Sequence, residues 1–117
     1  MVKKPYIPDA DDLVWVNFNP TRGREQAKVR PAIVLSPKAY NRKTNLALMC
    51  PITSVHKGYP FEVEIRAKKL TGVVLSDHIR SLDWKERDVQ FIAKANPLTI
   101  TEVRAKVSLL INADKSK

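Results

Sequence analysis

The sequence predicts a mainly β fold: a small antiparallel barrel followed by one C-terminal helix. Two observations carry that expectation. Six or seven short apolar runs, separated by turn signals, follow one another through the middle of the chain. The hydrophobic period then switches from strand-like to helical after Pro97.

The first run, Leu13–Val16, stops before Asn19-Pro20, and the second, Ala32–Leu35, opens after Pro31 and stops at Ser36-Pro37. Leu46–Ile52 is the third. Phe61–Ile65 alternates strictly, as a strand with one wet face does. Gly72–Leu75, Ile79–Leu82 and Val89–Ala93 complete the set, and a short helix is expected over Lys38–Arg42. At the C-terminus, Thr99 and Glu102 have the spacing of a capping box, with Leu98 and Val103 as its hydrophobic staple. Ile100, Val103, Val107, Leu110 and Ile111 then fall on one helical face.

At 117 residues the chain has the size of one domain, taken here as 1–117, and 44% hydrophobic residues suffice for one core. No apolar run approaches bilayer-spanning length, and Met1–Pro5 leads into no signal-like stretch, so no membrane association is expected and the cytoplasm is the expected location. A single cysteine excludes an intrachain disulfide, and the apolar surroundings of Cys50 read as a buried core thiol. Two histidines and one cysteine without ligand spacing argue against a metal site, and there is no P-loop or GxGxxG; no cofactor is expected.

Charge points to a partner. The net charge is +9, and the segment from Arg22 to Lys43 alone carries seven cations against the single anion Glu25. Such a concentration favours a polyanion, either nucleic acid or an acidic protein segment. Metal-free cleavage of RNA needs a base for the ribose 2′-hydroxyl, cations around the phosphate and an acid for the departing 5′-oxygen. Glu25, kept ionised by neighbouring cations, fits the base, and Arg30 at a strand mouth fits the clamp, because a planar guanidinium donates two parallel bonds to a phosphate. Thr53 could donate a hydroxyl, and His56 with His78 invite an acid–base pair. On spacing alone each also fits a bland reading: a solvated ion pair, a surface cation, a turn threonine, loop histidines. Trp15 and Trp84 could stack on bases, but the mid-strand position of Trp15 reads as core.

Specific segments carry a family resemblance. Asn19-Pro20-Thr21-Arg22-Gly23-Arg24-Glu25-Gln26 is followed by Arg30-Pro31-Ala32-Ile33-Val34-Leu35-Ser36, then by Tyr40-Asn41, Pro51-Ile52-Thr53, Lys57-Gly58-Tyr59-Pro60-Phe61 and Gly72-Val73-Val74-Leu75-Ser76-Asp77. From Asp11 to Ile111 the chain resembles the MazF/PemK family of toxin ribonucleases, on its MazF branch. The resemblance implies an SH3-like barrel with a C-terminal helix, working as a homodimer. It implies sequence-selective cleavage of single-stranded RNA and mRNA without a metal, leaving 2′,3′-cyclic phosphate and 5′-hydroxyl ends and so inhibiting translation and growth. It also implies a MazE-like antitoxin whose acidic C-terminal segment covers the RNA groove, a natural competitor for the same cations. The family's catalytic arginine falls on Arg30, its active-site threonine on Thr53 and its loop glutamate on Glu25. RNA contacts are expected from Arg22, Arg24, Gln26, Lys28, Asn41, His56, Lys57, Asp77, His78 and Arg80.

Three departures stand out. Asp11 takes the place of a glycine found in many relatives. His78 takes that of a glutamine. Leu75 stands where the PemK branch has an arginine, so no acid role transfers there. A guanidinium holds its proton too firmly to act as general acid, which leaves that role open. Two other functions share parts of these features: a CcdB-like poison of DNA gyrase, on fold alone, and a basic RNA-binding module without catalysis.

Overall fold

The computed structural model describes residues 5–18, 29–67 and 70–112. Within them the order is β1 (Asp12–Asn17), β2 (Val29–Val34), α1 (Lys38–Thr44), β3 (Leu46–Thr53), β4 (Glu62–Ala67), β5 (Leu70–Leu75), β6 (Arg80–Asp83), β7 (Gln90–Lys94) and α2 (Pro97–Ile111). The strands pair antiparallel in the order β4-β5-β3-β2-β1-β7, with β6 added to β3. The expected antiparallel barrel with a C-terminal helix is what forms, as a curled sheet with α2 packed against β4.

β3 sets the curl. Its first half, Leu46–Met49, pairs with β6, and its end, Ile52–Thr53, pairs with β5. The change of partner falls around Pro51, which has no N–H to give a ladder. Thr53 is thereby delivered to the mouth of the curl.

Alternation along β1, β2 and β3 sends side chains into two cores. Leu13, Ile33 and Cys50 face the helix residues Ile100, Val103 and Val107. Val14, Val16, Ala32, Val34 and Met49 face Leu82, Trp84 and Val89. Both faces of these central strands are therefore buried, which explains why they read as continuous apolar runs rather than alternating ones.

Several local expectations change. Helix α2 starts one turn earlier than the Thr99 capping box: Asn96 is the cap, its side chain accepting from the Leu98 N–H at 2.8 Å, with Pro97 in the first helical position. Leu98 is 79% exposed, so no staple forms. The buried face of α2 is limited to Ile100, Val103 and Val107, while Leu110 and Ile111 are exposed. The two tryptophans exchange roles. Trp84 is buried and donates its ring N–H to the Asn41 carbonyl at 2.9 Å, whereas Trp15 is 38% exposed. The helix-side core reaches Leu13 and stops short of Trp15, two residues along the same face.

The chain before β1 is strapped to the sheet through Asp12, a buried carboxylate. It accepts from the Tyr6 hydroxyl and the Asp9 N–H, and pairs with Lys94 Nζ at 2.7 Å. Burial, and then the Asp12 carboxylate, push the Tyr6 phenol well above its usual range. Asp11 adopts φ +75°, the left-handed region a glycine takes without strain. An aspartate tolerates it better than most residues, and here its carboxylate also receives Arg104 at 3.0 Å.

Candidate RNA cleft at the mouth of the curled sheet

Arg30 and Thr53 lie 23 positions apart in sequence and meet in space. Arg30 opens β2 and Thr53 ends β3, and with Pro31, Ile52, Ser54, Val55, Leu70 and Thr71 they line one open cleft of about 260 Å³. Thr53 also borders a second, larger cleft of about 660 Å³, walled by Val55, Lys57, Gly58, Tyr59, Pro60, Glu62, Leu75 and His78. The two recesses share Thr53 and Val55 in their walls.

Backbone geometry holds Thr53 in place. A Cβ at Gly72 would sit 2.4 Å from the Thr53 carbonyl oxygen, so only glycine lets β5 approach the end of β3 this closely. The Thr53 hydroxyl oxygen accepts from the Val55 N–H at 3.1 Å. A hydroxyl accepting in this way still has its hydrogen to donate.

The loop 54–61 forms the far wall of the larger cleft. Tyr59 donates its hydroxyl to Asp77 at 2.6 Å, and this bond raises the Tyr59 phenol above its usual range. His78 Nε2 lies 3.8 Å from Asp77 Oδ1. Lys57, Asp77 and His78 thus sit in or beside the cleft. His56 turns to a separate recess with Ser54, Glu64, Arg66 and Thr71, its Nε2 3.8 Å from both Glu62 and Glu64 carboxylates. The two histidines do not share a recess, so they do not form the acid–base pair their spacing invited. Arg80 lies elsewhere again, its guanidinium 5.4 Å from the centroid of the Phe18 ring.

Asn41 corrects the expected set. It is fully buried in α1, its side-chain amide donating to the Pro8 and Ser36 carbonyls at 2.8 and 3.0 Å while its oxygen accepts from the Ser36 hydroxyl at 2.6 Å. Every polar atom of that side chain is used inside the fold, so it makes no contact with a ligand. Arg22, Arg24, Glu25, Gln26 and Lys28 lie outside the described residues. The Cys50 thiol is buried as expected, and burial, with the Asp77 charge adding to it, pushes it up to about 12.

Glu62, Tyr59 and Val55 are cleft residues that sequence reasoning did not single out, and Leu75, noted there only for lacking the PemK-branch arginine, lines the larger cleft with them. The one signal available was a carboxylate opening an alternating strand four residues after Gly58. Among the described residues no group of three or more His, Cys, Asp or Glu side chains has metal-holding geometry, and no helix is long and apolar enough to cross a membrane.

Comparison with known proteins agrees with this architecture. The chain is 44% identical over 106 residues to the endoribonuclease toxin MazF of Escherichia coli K12, covering 91% of this chain and 96% of that one. It is 30% identical over 116 residues to the Escherichia coli endoribonuclease PemK, covering 95% and 87%. Among solved structures, MazF from Deinococcus radiodurans matches with a TM-score of 0.83 at 51% identity, covering 92% of this chain and 99% of that one. A MazE–MazF structure from the same organism matches with a TM-score of 0.84 at 49% identity, covering 93% and 100%. Residues 9–111 match the model of the PemK-like, MazF-like toxins. The chain belongs to this family of toxins from type II toxin–antitoxin systems.

Proposed function

We propose that this protein is an endoribonuclease toxin that cuts single-stranded RNA, mRNA included, by transesterification without a metal ion. The observation that carries the reading is the shared cleft of Arg30 and Thr53. The ribose 2′-oxygen attacks the adjacent phosphorus and the 5′-oxygen leaves, giving a 2′,3′-cyclic phosphate and a 5′-hydroxyl. The 2′-hydroxyl proton passes to a base, for which Glu25 is the candidate, and a general acid returns one to the 5′-oxygen. Arg30 stabilises the charge building on the phosphoryl oxygens, and the Thr53 hydroxyl donates to one of them. Lys57, Asp77 and His78 flank the path of the strand, and Arg22, Arg24, Gln26 and Lys28 are further candidates for contacts to it.

The net charge of +9 suits both single-stranded RNA and its proposed antagonist, a MazE-like antitoxin with an acidic C-terminal segment. The relatives solved as MazE–MazF complexes support that partner. A homodimer is the assembly proposed, and the cytoplasm the location.

The test is RNA cleavage in EDTA followed by mapping of the new ends. The wild-type protein yields 5′-hydroxyl ends at a preferred sequence, and Arg30→Ala keeps its melting temperature while losing about 10²–10³ in rate. Intact RNA with the wild type, or undiminished cleavage by Arg30→Ala, overturns the reading.

A further inference from the structure

Glu62 presents an inconsistency that the loop above it resolves. In β4, Val63 and Ile65 point into the core while Glu64 points to solvent, with 74% of its side chain exposed. Glu62 shares that wet face, yet only 4% of its side chain is exposed. Burying a carboxylate without partners is costly, and its hydrogen-bond partners are backbone amides, with His56 Nε2 further off at 3.8 Å. The N–H groups of Lys57, Gly58 and Tyr59 all point at it, Lys57 at 3.1 Å, Gly58 at 3.0 Å and Tyr59 at 3.3 Å. Gly58 has φ +73°, the conformation that aims successive amides into one concavity suited to an anion. The turn is closed by the Glu62 N–H donating to the Tyr59 carbonyl at 3.0 Å. On its other side the same loop is pinned by Tyr59 to Asp77, at the turn after β5.

These contacts converge on the wall that Lys57, Gly58, Tyr59 and Glu62 present to Thr53. We infer that Glu62 is a positioning residue for RNA: its buried carboxylate organises the amides of 57–59, and so fixes the wall against which the strand lies beside Thr53. Three charge-assisted bonds from consecutive amides make an unusually specific hold on a loop. The loop has few apolar anchors of its own, since residues 54–60 are all exposed. Tyr59 and Asp77 act as a second, weaker latch on the same wall. The inference rests on the ribonuclease reading and assigns a role in binding geometry, not in proton transfer.

The test uses an RNA oligonucleotide carrying the wild-type cut site, and the same oligonucleotide with a 2′-deoxy sugar at that site so that it binds without reacting. Glu62→Gln keeps the shape but places an N–H₂ against donors. It is expected to speed hydrogen exchange at amides 57–59, to weaken binding of the deoxy oligonucleotide about tenfold and to raise KM in step. Its kcat stays within about threefold and cut sites become less selective, as for a group remote from the reacting atoms. Tyr59→Phe, which keeps the ring, is expected to weaken binding about threefold with an unchanged melting temperature. Should Glu62→Gln fail to fold, Glu62→Asp, which keeps the charge but shortens its reach to the amides of 57–59, supplies the measurement, with the same loss of affinity expected and an unchanged affinity overturning the role. Faster exchange with unchanged affinity, or a fall in kcat at constant KM, overturns the role of Glu62. Equal affinity of Tyr59→Phe and wild type removes the second latch. A wild-type protein that cuts no RNA, so that no cut site can be mapped, overturns the ribonuclease reading itself, and the role assigned here with it.

Discussion

Asn41 and Arg30 are both polar residues in a basic stretch, and they end in opposite environments. Arg30 stands exposed at the start of β2, whereas Asn41 joins α1 to the chain before β1 and to Ser36. Removing the Asn41 amide strands two buried carbonyls and a hydroxyl, each costing of order 1 kcal/mol or more. Asn41→Ala is therefore expected to lower the free energy of unfolding by about 2–4 kcal/mol in a urea titration, while the folded fraction binds RNA as before. A loss of RNA affinity with unchanged stability would return Asn41 to the binding surface. Thr53 makes the complementary point, since its position depends on what its neighbour lacks: the missing Cβ of Gly72 opposite its carbonyl.

At the scale of elements, the ends decide more than the middles. Helix α2 depends on Asn96, whose side chain satisfies one of the first orphan amides. Asn96→Ala is expected to cost about 1 kcal/mol, read as a lower urea midpoint at constant slope. The strap before β1 brings a pH dependence. The amide of Lys38, and then that of Ala10, hold the Asp9 carboxyl below the usual carboxylate range. A carboxyl lowered in the folded state binds fewer protons there than in the unfolded chain, so its stabilisation is complete above the ordinary aspartate value. It is lost as pH falls through that value towards the depressed one. Urea midpoints measured from about pH 6 down to pH 3 should therefore fall more steeply for wild type than for Asp9→Asn. Parallel curves would dismiss the link.

For the whole molecule the dominant quantity is charge. If the proposed function holds, a chain of net +9 should bind RNA with an affinity falling as salt rises, by a slope of about −0.7 per phosphate contact on a single strand. Titrating the deoxy oligonucleotide across ionic strengths should give a linear log–log plot, and Arg30→Ala should flatten it by about one such unit. An unchanged slope would mean that Arg30 meets no phosphate. On the proposed reading the same field would draw in an acidic antitoxin segment, toxin substrate and antidote then competing for one set of cations.

Local signals in the chain were enough to read the strands, the basic segment and the family. Apolar runs bounded by Pro, Gly and Asn are local signals, and Ser36-Pro37 and Pro60 punctuate the chain where the backbone turns, although Pro31, read as a boundary, lies inside β2 opposite Trp15. The sequence likewise marked Arg30 and Thr53 through motif position. It missed the burial of Asn41 and Glu62, the exposure of Trp15 and the start of α2. In each case the outcome depends on which distant segment covers the residue. Whether a carboxylate on a wet strand face meets water or a loop's amides, and whether a tryptophan two residues beyond Leu13 is still under the helix, is decided by where β3 changes partners and how far α2 reaches. Those are long-range packing choices, and tertiary structure alone makes them, because burial is a property of the neighbours and not of the residue.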